Sequence, residues 1–172
     1  MTIDPGRIEE EMHRLEKILS YTFNNLSYLK KAMESRLIEK TKSKKGEYSN
    51  DGLATVGDTI LKAVIADKLY ATDGITKKCD ITKKKELLEN NKTLHKVVLS
   101  EGILDYAYNE DHFRMDENDT NSYANNRVVS KGHDPYLEAI VAAVYYDSGF
   151  EKTKEWIHGW LLRRLEKNKA DK

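Results

Sequence analysis

The 172-residue chain carries 29 Lys plus Arg against 29 Asp plus Glu, so no net field gathers a polyanion or an anionic surface, and such contacts have to come from local patches. Apolar residues make up 39 % and charged residues 34 %, which excludes a disordered chain, supplies one sizeable core and requires no second domain. A single cysteine, Cys79, excludes a disulfide framework and a Cys-based zinc site; it lies in the polar run Lys77-Lys78-Cys79-Asp80 and reads as a surface thiol in a reducing, cytoplasmic setting.

In chain order, the apolar residues recur at spacings of three and four, and only Pro5 and Pro135 interrupt them, which predicts an all-α fold. Ile8, Met12, Leu15, Ile18 and Leu19 form the stripe of a first helix. Leu26, Leu29, Ala32 and Met33, with Leu37 at its end, form that of a second after the turn Phe23-Asn24-Asn25. The stretch from Leu53 to Tyr70 is apolar on most sides, as is that from Leu137 to Tyr146, and helices of this kind form the centre of a fold. Between them, Thr82 is the expected cap of a helix running through Leu87, Leu88, Leu94, Val97 and Val98, and Ser100 the cap of a short stretch after it. Residues 109–131 are polar and aperiodic and read as a long loop, and a last helix carries Trp156, Ile157, Trp160, Leu161 and Leu165 on one side. The expected organisation is an N-terminal extension at 1–11, one domain at 12–166 and a disordered tail at 167–172. No run approaches the ~18 apolar residues of a membrane span.

Two acids stand out because they interrupt apolar helices: Asp58 in the first central helix and Glu138 in the second. Burying an unpartnered carboxylate is costly, so each is expected to be paired, hydrogen-bonded or bound to a cation. Carboxylates projecting from two neighbouring helices would suit Mg²⁺, a hard ion that takes a few carboxylates, several waters and phosphate oxygens. Pairing with Lys or Arg, or helix capping, is the plainer alternative that the pattern leaves open.

Family resemblance bears on that choice. The run Leu53-Ala54-Thr55-Val56-Gly57-Asp58-Thr59-Ile60-Leu61 resembles the signature helix of the ribonuclease III family, Glu-Arg-Leu-Glu-Phe-Leu-Gly-Asp-Ala-Val-Leu. Further similar segments begin at Leu15-Glu16-Lys17-Ile18-Leu19, at Leu87-Leu88-Glu89-Asn90-Asn91 and at Tyr136-Leu137-Glu138-Ala139-Ile140, in the family's order. The resemblance implies a helical endonuclease domain that dimerises and cuts double-stranded RNA with Mg²⁺, Mn²⁺ serving as a substitute. It places Asp58 and Glu138 at the metal as the candidate catalytic pair, and Asp51 near the cleavage centre and dimer interface. Duplex RNA is read by shape and backbone, so little sequence specificity is expected.

Two family carboxylates are replaced, by Ala54 and by Pro135, so the expected activity is attenuated; the alternative is an inactive, duplex-binding or structural protein. Asp134, just before Pro135, reads as a helix cap with Pro at the first helical position, and also as a substitute metal ligand. The bland reading of Asp51 is an acidic first-turn residue favoured by the helix dipole. For phosphate contact, the candidates are Lys44 and Lys45 before the signature helix and Lys83, Lys84 and Lys85 before the middle helix; the bland reading of both clusters is solvated charge. A separate double-stranded-RNA-binding domain is not expected within these residues.

Overall fold

Helix α1 (Pro5–Leu19) starts where Asp4 accepts a hydrogen bond from the Arg7 amide at 3.0 Å and Pro5 occupies the first turn. This and all that follows come from a computed structural model that describes residues 2–40, 46–116 and 135–169, the side chains of Glu39, Lys40 and Gly46 excepted. Helix α1 thus begins inside the stretch read as an N-terminal extension, and its Glu11 and Met12 are already buried. It ends at Ser20, whose left-handed backbone (φ 51°) turns its amide back onto the last helical carbonyls. The Trp156 and Trp160 indoles donate to the carbonyls of Leu19 and Ile18 at 2.8 and 2.9 Å, so the last helix caps the first.

Helix α2 (Ser27–Met33) is shorter than its stripe suggested. The backbone turns extended at Glu34, the Ser35 amide donates to the Tyr108 carbonyl at 2.7 Å, and Leu37 lies in a strand rather than at a helix end. Strands β1 (Leu37–Lys40) and β2 (Gly46–Tyr48) pair antiparallel, Leu37 opposite Tyr48 and Glu39 opposite Glu47, an element the helical reading of the sequence did not include. Helix α3 (Asp51–Asp67) follows directly, and buried Asn50 ties its start to α2 by donating to the Ala32 carbonyl at 2.8 Å.

The middle of the chain also departs from expectation. Helix α4 (Lys78–Glu89) begins before Thr82, which is therefore an exposed helical residue and not a cap. The chain breaks at Asn90, whose extended backbone and side-chain acceptor for the Thr93 amide (2.9 Å) start α5 (Asn91–Ser100). Ser100 closes α5 by bonding back to the Val97 carbonyl, and left-handed Gly102 leads into a 3₁₀ turn at Ile103–Tyr106. Beyond it, Tyr108 bridges Phe113 and Glu34, so the start of the expected long loop is tied to the body of the fold. Cys79 is exposed, as its polar surroundings implied.

The centre is the pair expected from the sequence. Helix α6 (Pro135–Trp156) buries every residue from Pro135 to Val144, and its contact with α3 is the most extensive between elements among the described residues. Gly149 (φ 82°) divides it, so the two stripes read as separate helices are separated by one glycine in a conformation that L side chains rarely adopt. The Asp147 carboxylate, just before that break, accepts from the Tyr21 hydroxyl and from the Asn24 and Asn25 amides at 2.8, 3.0 and 2.8 Å, fixing the α1–α2 turn. A π-helical turn leads from α6 into α7 (Leu162–Asn168). No helix among the described residues is long and apolar enough to cross a membrane.

Helices α3 and α6 touch backbone to backbone at Gly57. A Cβ built there would lie 1.7 Å from the Glu138 carbonyl oxygen and 2.6 Å from its carbonyl carbon. Backbone cannot move aside as a side chain can, so Gly57→Ala should force the two helices apart and cost about 2–3 kcal/mol. Gly52→Ala, whose added methyl meets nothing within 4 Å, should be close to neutral. Denaturant unfolding of both variants checks this, and equal stability would contradict it.

Candidate active site

Because Gly57 lies against Glu138, the residue that follows it, Asp58, is carried to the same crossing. The two acids line one open cleft of about 350 Å³, together with Ala54, Thr55, Lys62 and Asn91. Residues 51, 55, 58 and 62 fall on one face of α3 at helical spacing, while Glu138 enters from the first turn of α6 and Asn91 from the start of α5. Three elements therefore contribute to one opening.

The acids are held differently. Glu138 is buried at 3 % exposure, whereas Asp58 is half-exposed. The Asp58 carboxylate accepts from the Lys62 ammonium at 2.7 Å, one turn further along α3. That hydrogen bond, with the charges of Asp58, Glu89 and Glu138, raises the Lys62 pKa above its ordinary value against the opposing effect of partial burial. Ala54 is buried and gives the cleft an apolar wall.

Other candidates lie at varying distance from this point. Asp51 sits one turn before Thr55 on the same face of α3, and its carboxylate accepts from the Tyr48 amide at 2.7 Å, so it also fixes the strand-to-helix turn. Lys83 and Lys84 are exposed on α4, while Lys85 is drawn to Glu89 on its own helix at 2.6 Å. Lys44, Lys45 and Asp134, including the expected cap at Asp134, lie outside the described residues. Sequence reasoning did not single out Lys62 or Asn91. Lys62 was legible as a base four residues after an acid on one helix; Asn91 had no such signal, because only the break at Asn90 and the docking of α5 bring it to the cleft.

The family model described as Ribonuclease-III-like matches residues 27–165. The chain belongs to the ribonuclease-III-like family. Among curated relatives, it is 28 % identical over 165 residues to Ribonuclease 3 of Actinobacillus pleuropneumoniae serotype 5b (strain L20), covering 94 % of this chain and 67 % of the relative. It is 30 % identical over 158 residues to Ribonuclease 3 of Pseudoalteromonas translucida (strain TAC 125), covering 92 % and 64 %. The chain thus spans about two thirds of the length of these relatives. A solved structure of the nuclease domain of ribonuclease III from Campylobacter jejuni, described for flexibility in a region involved in dimer formation, matches with a TM-score of 0.63 at 26 % identity, over 91 % of this chain and 97 % of that one.

For a ribonuclease-III-like domain the chemistry of the donors is decisive. Mg²⁺ is held through one or two carboxylates and keeps several waters, and Asp58 and Glu138 on an open cleft are donors of that kind, so the residues present fit such an ion. The set is sparse: among the described residues no three His, Cys, Asp or Glu side chains converge as a metal-binding group.

The Asp58–Lys62 pair is half-exposed on both sides, with side-chain exposures of 31 % and 44 %, and ion pairs of this kind contribute little to stability. Asp58→Asn and Lys62→Met are each expected to change unfolding free energy by less than about 1 kcal/mol. Denaturant unfolding measures it; a larger loss would make the pair structural.

Proposed function

We propose that this chain is an endoribonuclease of ribonuclease III type that cuts the phosphodiesters of double-stranded RNA with Mg²⁺, at attenuated rate, as a homodimer in the cytoplasm. The observation that carries the reading is the meeting of Asp58 and Glu138 on one open cleft across the Gly57 contact. Asp58 and Glu138 would hold the metal, with Mn²⁺ as a substitute and Asp134 as a further ligand. When bound there, a divalent cation supplies an activated water and stabilises the charge that develops on the phosphodiester oxygens.

The chain's own residues provide the rest. Buried Glu138, anchored in the first turn of α6, presents a carboxylate with little freedom to move. Half-exposed Asp58 leaves the mouth of the cleft accessible to a backbone phosphate. Exposed Lys83 and Lys84 would neutralise phosphates along the duplex without reading bases, with Lys85, Lys44 and Lys45 as further contacts. Asp51, on the same face of α3 as Asp58, would stand toward the cleavage centre and the partner subunit. Ala54 removes a negative group from the wall, which weakens the hold on the cation and its waters and accounts for the reduced rate.

A second reading has its own support: the apolar Ala54 wall and the engagement of Asp58 by Lys62 favour a protein that binds duplex RNA without cutting it. Incubating a long RNA duplex with the protein across Mg²⁺ and Mn²⁺ series decides between them. Cleavage of duplex and not of single strands is expected, at high Mg²⁺ or with Mn²⁺, and lost in Asp58→Asn and Glu138→Gln. Duplex retention with no cleavage at any metal concentration would establish the binding protein instead.

Sedimentation at micromolar concentration is expected to give a dimer, and a strictly monomeric species would overturn that part of the proposal.

A further inference from the structure

We infer that Lys62 is a built-in counter-ion of the cleft, holding the Asp58 carboxylate that a divalent cation requires, so that metal enters only by displacing it. This rests on the reading of Asp58 and Glu138 as a metal-binding pair. Three observations lead to it. Lys62 reaches Asp58 at 2.7 Å, the contact distance of a charge-assisted hydrogen bond. It lines the same cleft as Glu138, so its charge lies beside both carboxylates and not on a remote face. Glu89, the other acid whose charge acts on Lys62, is itself drawn to Lys85 at 2.6 Å, which leaves the ammonium biased toward Asp58 and Glu138.

The charge count gives the consequence. The cleft is lined by two carboxylates and one ammonium, with neutral Ala54, Thr55 and Asn91 completing it, so their formal sum is one negative charge. A doubly charged ion approaching Asp58 meets both a weakened attraction and a nearby like charge. The pair is half-exposed, which makes it exchangeable: a sufficient concentration of metal, or the added negative charge of an RNA phosphate, can draw the ammonium away. Lys62 is then a positioning residue that sets the metal concentration at which the cleft fills, and after release it remains on a flexible stem beside the phosphates. An acid followed four residues later by a base also pairs on any exposed helix, so the pairing alone does not distinguish the two cases; metal affinity does.

The test is calorimetric titration of Mn²⁺ alone, without RNA, into the whole chain as wild type, Lys62→Met, Lys62→Arg, Asp58→Asn and the double variant Lys62→Met with Asp58→Asn. Removing the charge is expected to tighten Mn²⁺ binding roughly tenfold. Lys62→Arg should stay with the wild type, because it keeps the charge, and the double variant should lose the gain. Thermal unfolding of each variant verifies that affinity is compared between folded proteins. Equal affinities for wild type and Lys62→Met, with weakening in Asp58→Asn, would overturn the role of Lys62 and leave the metal site standing. No binding in either wild type or Lys62→Met would overturn both, since freeing Asp58 would then have created no site.

Discussion

Two helix backbones approach at Gly57 as closely as a hydrogen atom permits, and the rest of the arrangement depends on that approach. The carbonyl that Gly57 meets belongs to Glu138, and the residue after Gly57 is Asp58. One contact between main chains therefore brings the two acids to the same crossing. A methyl group at position 57 would have no place to go, because its nearest neighbours are backbone atoms whose positions are fixed by helical hydrogen bonds on both sides.

Around this crossing, the surrounding elements hold α6 rather than the cleft itself. Asp147 gathers the amides of the α1–α2 turn, and the two tryptophans close the carbonyl end of α1, so that α1, α2 and the last turns of the chain are tied by polar groups at their ends as well as by the apolar core. Capping one helix by side chains of another satisfies groups that would otherwise be buried without partners.

The cleft's charge balance then decides what it can do. A metal-binding site depends on how many negative groups face it and on how many positive ones compete. Ala54 contributes no charge and Lys62 adds an ammonium, so two residues of α3 set the electrostatics around Asp58 and Glu138. Packing is specified by Gly57 and the apolar faces, while the charge of the cleft is set by buried Glu138 and by the half-exposed Asp58 and Lys62.

Much of this was present in the linear chain. Apolar spacing of three and four determines helices α1, α2, α3 and α6, because an amphipathic helix has to bury its stripe wherever it lies, and the acids at 58 and 138 are conspicuous by their apolar neighbours. Local competition between conformations hid other features: Leu37 completes a helical stripe by spacing, yet pairing with Tyr48 and the anchoring of Ser35 to Tyr108 draw it into a strand. Thr82 has a capping side chain, yet α4 starts earlier. The break at Asn90 splits one apparent helix into two. What the sequence by itself determined is which residues seek burial and which carry charge, since those are properties of side chains and their period. Only the tertiary structure decided that Asn91 joins the cleft, that Lys62 lies beside Glu138 as well as Asp58, and that Gly57 meets Glu138, since each is a meeting of separate elements whose distance depends on how their faces dock.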